Sequence, residues 1–120
     1  MEKHTISFKN AFRGLGVAVT TQLNLKIHFV VATLVLATGL FLELNLTEWL
    51  IITLTIGMVI VAELINTAVE FGCNAITREH NEDIKHAKDI SAGAVLFAAT
   101  LSVIIGLLIF LPKILSLGVN

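Results

Sequence analysis

The 120-residue chain is poor in charge, with one cysteine and one proline. Only 14% of its residues are charged, against about 25% in a soluble domain. Hydrophobic residues make up 56%, and the mean hydropathy is +0.90. This balance excludes an ordinary soluble domain and points to an integral membrane protein, with length for one small bundle. Cys73 stands alone, so no intrachain disulfide forms and no cysteine-based metal site is expected. No Walker loop, dinucleotide glycine pattern or zinc spacing occurs. His4, His28, His80 and His86 are not spaced as metal pairs on a helix and are expected at the surface. No nucleic-acid partner is expected.

Three apolar stretches are present. Residues 27–42 would span roughly 24 Å as a helix, short of the ~30 Å hydrocarbon core unless Lys26 and Glu43 snorkel to the interfaces. Residues 50–69 form the second, interrupted by Glu63 and Asn66, and residues 90–111 the third, with Pro112 as its expected stop. Ahead of them, Phe8, Ala11, Phe12, Leu15, Val19 and Leu23 recur at steps of three and four. Residues 1–25 are therefore expected as an amphipathic interfacial helix. No secretory signal is expected, because the first apolar stretch follows Lys3, Lys9, Arg13 and Lys26.

Lysine and arginine set the orientation. Four lie before the first span, and Arg78, Lys85 and Lys88 lie in the 71–89 link. The link after span one has none, and the tail has only Lys113. The N-terminus and the 71–89 loop are thus expected in the cytoplasm, with Trp49 at the outer interface. Ala87, Ser91, Ala94 and Ala98 give the third span one small residue per turn, which suits close helix packing.

The chemistry concentrates in residues 62–70. Glu63, Asn66 and Glu70 share one helical face, and Glu63 follows thirteen uncharged residues, Leu50 to Ala62. A carboxylate in lipid costs roughly 2–3 kcal/mol, so a retained one is a candidate for function. Lys88 and Asp89 fall at the same membrane edge. Together these groups can bind Mg²⁺ through oxygen, hold phosphate with a lysine and supply a general base. They are open to a cytosolic solute and to a lipid headgroup, as an enzyme acting on lipid requires. A rival is a proton- or ion-conducting subunit with Glu63 as the exchangeable carboxylate; it leaves Lys88 and Asp89 without a role.

The stretch Ala62-Glu-Leu-Ile-Asn-Thr-Ala-Val-Glu70, followed by Ala87-Lys-Asp-Ile-Ser-Ala-Gly-Ala-Val-Leu96, resembles the prokaryotic diacylglycerol kinase family, which includes the Gram-positive undecaprenol kinases. Ser7-Phe-Lys-Asn-Ala-Phe-Arg-Gly14 and Thr21-Gln-Leu-Asn-Leu-Lys-Ile-His28 carry the resemblance through the N-terminal segment. It implies a homotrimer of three-span protomers in the bacterial plasma membrane, with active sites between protomers at the cytoplasmic surface. ATP with Mg²⁺ would phosphorylate a lipid hydroxyl, of undecaprenol or diacylglycerol, and the pattern Asn24-Leu-Lys-Ile-His28 leans toward undecaprenol. By this likeness Glu63 is the general base, Asn66 positions the reacting groups, Glu70 binds Mg²⁺, and Lys88, Asp89 and Glu79 hold the nucleotide. Two positions depart from the family pattern: Gln22 replaces a metal-binding glutamate, and Asn74 an aspartate one turn after Glu70. These departures imply weaker Mg²⁺ binding, another oxygen donor in the trimer, or a catalytically weakened structural homologue.

Overall fold

The computed structural model describes residues 2–119; the side chains of residues 2–6, including that of His4, lie outside the description. Four helices follow one another: α1 (Glu2–Thr21), α2 (Leu23–Phe41), α3 (Leu46–Ile76) and α4 (Glu82–Leu117). Helices α2, α3 and α4 are each long and apolar enough to cross a bilayer, and no strand occurs among the described residues. The chain is an all-α membrane protein.

Helix α1 ends where Thr20 and Thr21 turn their hydroxyls back onto the Gly16 and Val17 carbonyls, at 2.8 and 2.7 Å. A hydroxyl bonded to the carbonyl one turn earlier slightly destabilises and often bends a helix. Gln22 is extended, and the chain re-enters a helix at Leu23. The break therefore falls before Leu23, and the first membrane helix begins earlier than residue 27. Ala18 of α1 and Leu25 of α2 are buried beside this junction, while Phe8 and Phe12 remain exposed.

At the other end of α2, Gly39 lies against Trp49: a Cβ there would sit 2.8 Å from the indole ring and 2.9 Å from Leu44 Cδ1. Glu43 takes a left-handed φ of 55° to complete the tight turn. Asn45 then caps α3 reciprocally with Glu48, each backbone N–H donating to the other's side chain. The bond from the Asn45 backbone holds the Glu48 carboxyl below its ordinary range, reinforced by Lys113 at 3.1 Å. This ion pair ties the start of α3 to the end of α4.

Helices α3 and α4 run antiparallel and form the main packing pair, with α2 against α3 and α1 against both α2 and α3. At 1.5 Å per residue, 31 and 36 residues reach about 46 and 54 Å. Both exceed the ~30 Å hydrocarbon layer, so their joined ends extend beyond it as helix. Most of residues 71–89, expected as a loop, is accordingly helical; only 77–81 is not. The physical cause is Asn81, whose side chain accepts from Asp83 N and Ile84 N at 3.0 and 3.1 Å and starts α4 eight residues before the apolar run. Pro112 does not stop α4, which continues to Leu117. One missing N–H is tolerated in a membrane helix where neighbours and local adjustment compensate.

Candidate active site

The start of α2, the C-terminal half of α3 and the start of α4 meet at one end of the bundle. Glu63 lies on α3 with 4% of its side chain exposed. Its Oε1 is 3.0 Å from His28 Nε2 on α2. His28 is one-quarter exposed and faces the interior, which corrects the expectation that it lies at the surface. The reason is electrostatic: a carboxylate enclosed by apolar helices needs a partner, and His28 is the only titratable residue in the first apolar stretch. His80 and His86 are exposed as expected.

One turn along α3, the Asn66 side chain accepts a hydrogen bond from Ser91 Oγ of α4 at 2.8 Å. Ser91 also reaches the Lys88 carbonyl at 3.0 Å. The Asn66 carbonyl oxygen is thereby engaged, and its NH₂ group, a donor of two hydrogens, makes no bond among the described residues. The small-residue face of α4 thus carries a polar contact as well as packing, through Ser91.

Two turns beyond Asn66, Asn74 accepts from Lys88 Nζ at 2.8 Å. Lys88 meets a neutral amide here rather than an acid, so its contact on α3 fixes the ammonium without cancelling its charge. Asp89, the next residue, points elsewhere. It binds Lys85 on its own helix and is mostly exposed, and that ammonium holds its carboxyl below the ordinary range. Lys88 and Asp89 are adjacent in sequence yet about 100° apart around α4, and only Lys88 turns toward α3. Glu79 lies exposed in the 77–81 link, its backbone N–H bonded to Thr77 Oγ1.

Glu70 is half-buried, and its carboxylate has no hydrogen bond or ion pair among the described residues. Gln22 is half-buried at the α1–α2 break, and among the described residues its amide reaches only Thr21, at 3.4 Å. Among the described residues no three His, Cys, Asp or Glu side chains gather as metal ligands. Mg²⁺ bound to a polyphosphate asks for less, one or two carboxylates with phosphate and water completing the shell. Glu70 fits that smaller demand.

Two cavities flank α3. One, of about 330 Å³, lies between α2, α3 and α4, with His28 among an otherwise largely apolar lining. The other, of about 570 Å³, lies between α1 and α3 and includes Asn10, Arg13 and Thr67. His28, Ser91 and the Asn74–Lys88 contact were not assigned from the sequence. The available signal was arithmetical: His28 and Glu63 are the only titratable residues in the three apolar stretches.

The family model for prokaryotic diacylglycerol kinase matches residues 9–110. An undecaprenol kinase of Bacillus subtilis is 46% identical over 108 residues, covering 90% of this chain and 88% of that protein. A diacylglycerol kinase of Synechocystis sp. is 37% identical over 115 residues, covering 95% of this chain and 66% of that protein.

Proposed function

Because the chain belongs to the prokaryotic diacylglycerol kinase family and is by that membership a lipid kinase, we propose that it transfers the terminal phosphoryl group of ATP to the hydroxyl of undecaprenol. The observation that carries this reading is the cluster of one buried carboxylate, one oriented amide and one fixed ammonium where three helices meet. The 46% identity to an undecaprenol kinase, against 37% to a diacylglycerol kinase, favours that acceptor.

In this proposal the site faces the cytoplasm, in line with the seven of eight basic residues on that side, and the protein is a plasma-membrane homotrimer. Phosphoryl transfer requires alignment and charge neutralisation more than covalent help from the protein. Glu63 takes the proton from the lipid hydroxyl as the oxygen attacks phosphorus. Asn66, anchored by Ser91, directs its NH₂ group at the reacting oxygens. Lys88, held by Asn74, presents its charge to the phosphates, and Glu79 and Asp89 meet outer parts of the nucleotide at the exposed rim. Glu70 would hold Mg²⁺, with Gln22 offering at most a carbonyl oxygen, and a cation held there would supply neutralising charge for the triphosphate. An ion-conducting role gains nothing from the Asn74–Lys88 and Asn66–Ser91 contacts.

The test is competition in mixed micelles. Purified protein is offered undecaprenol and diacylglycerol together with labelled ATP, and label is expected mainly in undecaprenyl phosphate. Equal or greater labelling of diacylglycerol overturns the acceptor assignment, and no labelled lipid at all overturns the kinase reading.

A further inference from the structure

Within the three apolar stretches, only two residues can titrate, His28 on α2 and Glu63 on α3. They are 35 positions apart in sequence, yet their side chains meet at 3.0 Å. Resting on the reading of Glu63 as the base, we propose that His28 is a positioning residue for the reaction: its Nε2–H holds Oε1 of Glu63 and leaves Oε2 to receive the proton of the acceptor hydroxyl.

Three observations support this division of the carboxylate. An ionised carboxylate is an acceptor only, so in the bond between the two side chains the hydrogen is on Nε2. Oε2 makes no hydrogen bond among the described residues. Yet no fully buried side-chain oxygen there lacks a partner, so Oε2 keeps a small opening even though the side chain is 4% exposed. One oxygen is fixed and the other is reachable.

His28 has a second contact surface. It edges the apolar cavity between α2, α3 and α4, whose lining does not include Glu63. The imidazole therefore borders both the carboxylate and that cavity. Removing it both frees the carboxylate to rotate and opens space for it to rotate into. A displacement of about 1 Å in a reacting group costs on the order of 100-fold in rate. The loss belongs in turnover, because His28 touches the base and none of the groups assigned to the nucleotide.

The experiment compares His28→Leu, His28→Gln and Glu63→Gln in the full-length protein, in mixed micelles containing undecaprenol and Mg·ATP. The glutamine amide can donate from a position near that of imidazole Nε2; leucine fills the space without a donor. The leucine variant is expected to lose 10- to 100-fold in kcat with KM for ATP within two-fold of wild type. The glutamine variant is expected to recover to within about five-fold of wild type. Should the leucine protein not fold, His28→Asn, whose shorter amide stops short of Oε1, takes its place with the same expected loss. A kcat within two-fold of wild type for the leucine or asparagine variant overturns the positioning role. So does a glutamine variant as impaired as leucine. Should Glu63→Gln turn over normally, the general-base reading fails first and the role of His28 goes with it. An inactive Glu63→Gln beside a normal His28→Leu removes the His28 role alone.

Discussion

Ser91→Ala isolates the contact that orients Asn66. The hydroxyl is buried, and its single hydrogen is shared between Asn66 Oδ1 at 2.8 Å and the Lys88 carbonyl at 3.0 Å. A neutral hydrogen bond contributes about 0.5–1.5 kcal/mol net. If that energy holds Asn66 in its reactive orientation, its loss lowers kcat by about two- to twelve-fold, at 1.36 kcal/mol per decade. KM for ATP should stay constant, because the contact lies on the Asn66 side of the site and the Lys88 ammonium keeps its bond to Asn74. The assay is initial-rate kinetics in mixed micelles at saturating lipid, beside thermal inactivation to report folding. A double-mutant cycle makes the reasoning refutable. In an Asn66→Ala background Ser91→Ala should cost nothing further in turnover. Full additivity of the two losses would show that Ser91 acts on packing and not through Asn66.

Lys88→Met should reduce kcat/KM for ATP by roughly 10- to 100-fold, since a hydrogen bond to a charged group contributes about 1.5–3 kcal/mol; Asn74→Ala, which loosens the lysine but keeps it, should raise KM only a few-fold. Equal losses in the two variants would contradict the arrangement, and steady-state kinetics over ATP concentration decides. Gln22→Glu adds a negative charge beside the proposed metal position and should lower the half-saturating Mg²⁺ concentration on the order of ten-fold, with an unchanged value sinking that metal assignment. Gly39→Ala forces a Cβ to 2.8 Å from the Trp49 ring, overpacking of the kind that costs about 1–3 kcal/mol. Its inactivation temperature should fall while turnover of the intact protein is preserved.

Composition alone was enough for the membrane class, and the three apolar runs each fall largely within an observed helix, because hydropathy over twenty residues is a strong signal. Helix ends were less legible. Asn81 with Glu82 and Asp83 is a helix start written in polar residues, where charge between two apolar runs suggests a loop. Pro112 misled in the opposite direction, since the apolar residues after it keep α4 going. At the site, the i, i+3, i+7 spacing correctly placed Glu63, Asn66 and Glu70 on neighbouring turns of one helix. What spacing cannot show is which distant residue comes to meet them. His28 and Ser91 approach from other helices, and their partners depend on how those helices pack. Lys88 and Asp89, adjacent in sequence and expected at the same membrane edge, are turned apart by the helix itself.

The central claim is that Glu63 acts as a base in lipid phosphorylation. Glu63→Gln keeps the shape of the side chain and a possible hydrogen-bonding contact to His28, but removes the proton acceptor. In proteoliposomes containing undecaprenol, kcat should fall by about 100- to 10,000-fold, the range for loss of general base catalysis. KM for ATP should remain close to that of the wild type, and the wild-type protein should conduct no protons. Turnover within a few-fold of wild type in the glutamine variant, or proton flux abolished by the substitution in a protein without kinase activity, would contradict the account.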